Sequence, residues 1–187
     1  MVKYLSPVKS MKNNLKKVAL IVFFVTTAMT CITSATKAQL LAGQRAIEFS
    51  AGKSDVGYLI NGGYIYFVTD KFSVKGGAFF EKGTPYQFSY HNIGLEALAR
   101  YTAFNFSEIF LITPYAGPVL NFDNISPVKR QYAASINYGL KAGVEVEALL
   151  ADQFSFFAFF NQAVLLKKSF GNERFDYGIG VRLYIGN

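Results

Sequence analysis

The sequence predicts an all-β protein: an eight-stranded antiparallel up-and-down transmembrane β-barrel with a filled lumen. Three observations lead there. Apolar and polar residues alternate with period two through most of the chain beyond residue 44. Charged residues and glycines share one face of the resulting strands. The connections alternate between short ones and longer or more polar ones, the layout of an outer-membrane barrel.

The chain opens with "MVKYLSPVKSMKNNLKKVALIVFFVTTAMTCITSATKAQ". Lysines 3, 9, 12, 16 and 17 precede a short apolar run from Val18 to Val25, and small residues sit at Thr36 and Ala38. A basic start, a brief apolar segment and small residues before the cut describe a secretory signal peptide. Residues 1–38 are read as that leader, removed after Ala38, with Met11 as an alternative start. The apolar run is far below the roughly 20 residues of a spanning helix. A lipoprotein would need Cys31, the one cysteine, but "AMTC" lacks Leu at −3 and a Gly or Ala at −1.

The remaining domain, residues 39–187, carries 13 basic and 12 acidic residues, so the net charge of +7 resides mostly in the leader. Nucleic-acid binding loses its electrostatic support. Charged residues are about 17% of this domain, against roughly 25% in ordinary soluble domains. Phe and Tyr together number 28. So apolar a surface is poorly suited to water on every side.

Eight strands are predicted in order, over 45–52, 57–68, 71–81, 87–103, 108–121, 134–150, 153–167 and 174–185. The third sets Phe72, Val74, Ala78 and Phe80 against Ser73, Lys75, Gly77, Phe79 and Glu81. The fourth sets Ile93, Leu95, Ala97, Ala99 and Tyr101 against Gly94, Glu96, Leu98, Arg100 and Thr102. The sixth places Ile136, Tyr138, Leu140, Ala142, Val144, Val146 and Ala148 opposite Ser135, Asn137, Gly139, Lys141, Gly143, Glu145 and Glu147. In the eighth, Phe175, Tyr177, Ile179, Val181, Leu183 and Ile185 alternate with Arg174, Asp176, Gly178, Gly180, Arg182 and Tyr184. The second, fifth and seventh alternate less cleanly. No sustained 3.6-residue apolar stripe exists outside the leader. Pro114 and Pro118 each remove a ladder donor from the fifth strand and are expected to flank a bulge.

The short turns are "VTDKF", "FNFSE" and "LADQF", after the second, fourth and sixth strands. The longer or more polar connections are "AGKSDVG", "EKGTPYQ", "NFDNISPVKRQYA" and "KKSFGNER". "DKFSVKGGAFF" and "DQFSFFAFF" echo one another at the starts of strands that follow short turns.

Alternation alone also fits a soluble β-sandwich or barrel. Three features favour lipid outside and charge inside. Glycine punctuates the polar face, giving long side chains room to fold over within a barrel too narrow for a channel. The inward charges nearly balance: Glu48, Glu81, Glu96, Glu145, Glu147 and Asp176 against Lys75, Arg100, Lys141, Arg174 and Arg182. Buried charge persists only when paired. Tyr58, Tyr64, Tyr66, Tyr86, Tyr90, Tyr138 and Tyr177 are assigned to apolar faces or strand ends as interfacial aromatics. Closure then satisfies every backbone polar group in lipid.

No catalytic, cofactor-binding or metal-binding residue is assigned. The one histidine, His91, lies near Ser89 on the fourth strand, where same-side projection allows a Ser–His pair, but it reads as a polar residue beside a loop. Absent other histidines or cysteines in the domain, no metal cluster assembles. Lys129 and Arg130 in the longest loop read as solvated charges.

Three segments, "GQRAIEFSAG", "YGLKAGVEVEALLADQFSFFAFFNQAVL" and "FDYGIGVRLYIGN", resemble the TraO family encoded by conjugative transposons of Bacteroidetes. The resemblance spans about Gly43 to Asn187. It implies a small exported protein of the conjugative transfer apparatus, in the outer membrane of a Gram-negative bacterium, and brings no catalytic motif. The resulting expectation is a non-enzymatic structural or interaction component, with outer-membrane lipid and other transfer proteins as its partners. It needs no cofactor and makes no direct contact with nucleic acid. The alternative is a general outer-membrane barrel for envelope integrity or adhesion, unrelated to conjugation.

Overall fold

Alternating residues that place apolar side chains on one face and polar ones on the other build a sheet that must hide both faces and both edges. The computed structural model shows how this chain does so. It describes residues 41–84, 89–106, 109–126, 135–166 and 173–185. The leader with its cut after Ala38, Met11 and Cys31, together with Tyr86, Lys129 and Arg130, lies outside the described residues.

Nine strands run in order: β1 (Arg45–Ser54), β2 (Gly57–Phe67), β3 (Phe72–Gly83), β4 (Ser89–Tyr101), β5 (Phe104–Phe106), β6 (Phe110–Ser126), β7 (Ser135–Ala151), β8 (Phe154–Leu165) and β9 (Glu173–Ile185). All pairings are antiparallel; successive strands pair except β4 and β5, which both pair with β6, and β1 pairs with β9. The short β5 continues the line of β4 along the same edge of β6, after a break at Thr102 and Ala103. The result is a closed eight-stranded barrel, as expected.

The stagger of the ring follows from its register. Arg45 pairs with Tyr66, and the chain of partners continues through Val74, Ala99, Ala116, Ala142 and Gln162 to Phe175. Phe175 is hydrogen-bonded to Asp55, so the circuit returns to β1 ten residues beyond its start. For eight strands this stagger sets a tilt of about 40° and a radius of about 8 Å, wide enough inside for side chains alone.

Two expectations about the chain's path are corrected. "AGKSDVG" is not a long loop: β1 and β2 are joined by only Asp55 and Val56. Ser54 Oγ accepts from the N–H groups of Val56 (3.2 Å) and Gly57 (3.0 Å) and so tightens the turn. At that end the longer connections are therefore those after β3, β6 and β8. Nor do Pro114 and Pro118 flank a bulge. The β6–β7 register runs unbroken past both, from Phe110↔Ala148 to Asp123↔Ser135. On the other edge, the pairing with β4 skips Ala97, Leu98 and Tyr101, the positions facing Pro118, Gly117 and Pro114. The missing proline donors leave gaps in one ladder without displacing residues between them.

Candidate functional site: an ion-paired lumen inside an apolar belt

Strand alternation sends all eleven predicted inward charges to the interior, where each is buried. Asp123 joins them, making seven acids and five bases among the described residues. The alternation predicts a fifth strand ending at residue 121, whereas β6 continues to Ser126 and so carries Asp123 inward in step with Asn121.

The end of the lumen nearest the described termini is sealed by an apolar cluster of Ala46, Ile65, Phe67, Leu111, Leu149 and Tyr184. Above it Arg182, fully buried, gathers three carboxylates. Its Nε and Nη2 donate to Glu48 Oε2 at 3.1 and 2.6 Å, and it also bonds Glu145 and Glu147. Glu147 further accepts from the hydroxyls of Ser155 and Tyr184. Arg100 bridges Glu145 at 2.8 Å and Glu48 at 3.5 Å.

Glu48 links this layer to the next. Lys75 Nζ lies 2.6 Å from Glu48 and 2.7 Å from Glu96, and Lys141 Nζ lies 2.8 Å from the other oxygen of Glu96. Asn61 donates to Glu96 at 2.9 Å. Beyond these, Phe79 sits between Lys75 and Glu81 along β3, packed in a second apolar cluster with Leu59, Val119, Ala163 and Leu165. Lys141 Nζ stands 4.4 Å above the Phe79 ring.

A third polar layer lies toward the loops. Arg174 pairs with Asp123 (3.1 Å) and Glu81 (3.3 Å) and lies over the Tyr90 ring. Tyr90 was assigned to an outward, interfacial position, and this is corrected: it is wholly buried, with its hydroxyl donating to Asp123 at 2.6 Å. Tyr90 shares the parity of Asn92, Gly94 and Glu96, so alternation itself pointed inward. Tyr58, Tyr64, Tyr66, Tyr138 and Tyr177 do face outward.

The inward glycines make room for these side chains. A Cβ on Gly94 would stand 2.1 Å from the Phe79 ring, and one on Gly63 would stand 2.7 Å from Lys75 Cε. One cavity in the lumen, beside Lys75, Glu96, Arg100 and Tyr115, holds about 10 Å³. One water needs roughly that volume. Among the described residues the interior is filled by ion-paired side chains between two apolar clusters.

The outer face is the inverse. Phe49, Ile60, Leu95, Leu140, Phe160 and Ile179 are among many large apolar side chains exposed around the ring. An apolar band around a closed ring of paired strands is what a bilayer's hydrocarbon requires.

His91 is on this outer side, away from the lumen. Its Nε2 lies 3.2 Å from Ser89 Oγ and its ring stacks on Phe80 with centroids 6.2 Å apart. Among the described residues no carboxylate meets the imidazole to orient it, so the third part of a triad is missing. No group of three or more His, Cys, Asp or Glu among the described residues is placed to hold a metal ion.

No protein-family model matches the chain, and no curated protein matches it. Solved structures do. The N-terminal β-barrel domain of Pseudomonas aeruginosa OprF aligns with a TM-score of 0.66 at 16% identity, over 77% of this chain and 98% of that one. Ail, the attachment invasion locus protein of Yersinia pestis, aligns at 0.55 and 11% identity, over 78% and 100%. Neisserial surface protein A aligns at 0.54 and 16%, over 75% and 94%. At such identities the likeness is one of fold. This chain has the closed eight-stranded fold of outer-membrane β-barrels.

Proposed function

We propose that this protein is a non-enzymatic outer-membrane β-barrel that acts as a structural and interaction component of a conjugative DNA-transfer apparatus. The observation that carries the first half is the pairing of an ion-filled lumen with an apolar exterior. That arrangement favours a rigid membrane anchor over a pore, since paired side chains fill the lumen around a cavity of about 10 Å³. It favours an interaction role over catalysis, since the strands position inward charges to neutralise each other instead of opening them to a substrate.

The transfer role rests on the resemblance of residues 43–52, 138–165 and 175–187 to the TraO family. In this reading residues 1–38 direct export and are removed, both termini of the barrel lie in the periplasm, and the connections after β3, β6 and β8 face outward. The short turns meet the periplasmic part of the apparatus.

Mating frequency after a clean deletion, with complementation and an envelope-leakage control, tests this. A fall in transfer with an intact envelope supports it. Unchanged transfer with a leaky envelope would support the general envelope barrel in its place.

A further inference from the structure

At the loop end of the barrel, five outward residues form one continuous cross-strand row. Lys53 on β1 pairs with Tyr58 on β2, Tyr58 with Lys82 on β3, Lys82 with His91 on β4, and His91 with Asn124 on β6. Lys53, Tyr58, Lys82 and Asn124 are exposed, and His91 is half-buried. With strands about 4.8 Å apart, the row is about 19 Å long and its two ammonium groups stem from positions about 10 Å apart.

The next outward row toward the barrel's middle, one step of about 7 Å along the strands, is wholly apolar. It comprises Ala51, Ile60, Phe80, Ile93 and Phe122, again successive partners. Across β1, β2, β3, β4 and β6 the surface thus changes within one step from hydrocarbon-compatible to donor-rich. Every member of the upper row can donate a hydrogen bond, and none is a carboxylate. Lys53 Nζ sits over the Tyr58 ring at 5.6 Å, and His91 is held by Phe80 and Ser89. Among the described residues the outer-face carboxylates at this rim are Asp55 and Glu173. Both are engaged toward β8 and β9: Asp55 accepts from the Phe175 N–H at 3.0 Å and Glu173 from Gln162 at 3.2 Å.

We infer that this sector binds the phosphate headgroup of an anionic lipid in the leaflet at the loop end, with the lipid's acyl chains lying on the apolar row below. The inference rests on the membrane-barrel part of the proposed function and not on the transfer role. The complementarity is one of charge, and the strand tilt confines it. At about 40° the row climbs about 3 Å along the barrel axis per strand, so Lys53 and Lys82 differ in height by about 6 Å and Lys53 and Asn124 by about 12 Å. The two ammonium groups and the phenol between them stand where a phosphate must lie if its acyl chains cover Ala51, Ile60 and Phe80. Lys53 and Lys82 supply the charge-assisted bonds. Tyr58, between them, supplies a further donor.

Native mass spectrometry of the purified, detergent-folded protein tests this, with phosphatidic acid and diacylglycerol of identical acyl chains as probes. Two lysine contacts at about 1 kcal/mol each predict that the wild type retains phosphatidic acid roughly 25-fold more tightly. Lys53→Gln/Lys82→Gln should reduce the preference to within about threefold, Lys53→Arg/Lys82→Arg should keep it, and Arg45→Gln/Lys71→Gln at the opposite rim should leave it unchanged. Equal retention of both lipids by folded wild-type protein would overturn the inference, whatever the variants do. Displacement by excess inorganic phosphate would also overturn it, since the site would then take free anion without a lipid. Mobility on unboiled gels separates the two readings. Protein with no heat-sensitive folded form counts against the barrel itself, whereas folded protein without headgroup preference counts against this row alone.

Discussion

Arg182→Met removes the most heavily used side chain in the lumen. Its guanidinium contacts Glu48, Glu145 and Glu147, and those carboxylates are not equally provided for without it. Glu48 retains Lys75 at 2.6 Å and Arg100 at 3.5 Å, and Glu145 retains Arg100 at 2.8 Å. Glu147 has no second base among the described residues, only the hydroxyls of Ser155 and Tyr184. The variant therefore strands one buried carboxylate, and breaking a buried pair by removing one partner costs about 3–5 kcal/mol. Adding Glu147→Gln should recover about 1–3 kcal/mol of that loss, since directly bonded neighbours are not additive. The assay is equilibrium unfolding by guanidinium in detergent micelles or lipid vesicles, with the folded fraction read from gel mobility and the midpoint converted through the slope. A loss below about 1 kcal/mol for the single variant, or a double variant no better than it, would refute the idea that Arg182 holds this layer together.

Three further variants and one recording follow from the same structure. Ile179→Arg, at a position 71% exposed in the middle of β9, should destabilise the barrel by about 2–4 kcal/mol in vesicles, because the charge enters hydrocarbon. Tyr90→Phe should cost about 1.5–3 kcal/mol in the same titration, through loss of its 2.6 Å bond to Asp123. Gly94→Ala should cost about 1–3 kcal/mol, because its Cβ would stand 2.1 Å from the Phe79 ring. In planar bilayers the wild-type protein should show no conductance above bare lipid, and discrete channel openings would contradict the filled lumen.

Much of the fold was readable because lipid and lumen impose opposite chemistry on neighbouring residues. In β7 the run from Leu140 to Glu147 reports its inward and outward faces residue by residue, and the structure buries Lys141, Glu145 and Glu147 while exposing Leu140, Val144 and Val146. Where that contrast weakens, so does the signal in the sequence. In β6 the prolines and Gly117 blur the alternation, so the predicted strand ends at 121, short of the inward Asp123. Tyr90 misled because a tyrosine suits both an interfacial girdle and a buried hydrogen bond; its parity with Asn92 was the better guide. The turn at Asp55 and Val56 was hidden because Ser54 closes it through side-chain bonds that composition does not reveal. Which acid meets which base was not readable at all. Arg182 reaches Glu48 across 134 residues and Glu147 across 35, pairings set by the ten-residue stagger of the closed ring.

The most direct test of a closed, lipid-embedded barrel is the electrophoretic mobility of the native protein from isolated outer membranes, with and without boiling. The structure predicts that it requires detergent for extraction and migrates at a different position unboiled than boiled, because the ion-paired lumen and the closed ring of strands resist dodecyl sulfate at room temperature. Recovery in the soluble periplasmic fraction, with one mobility under both conditions, would contradict it.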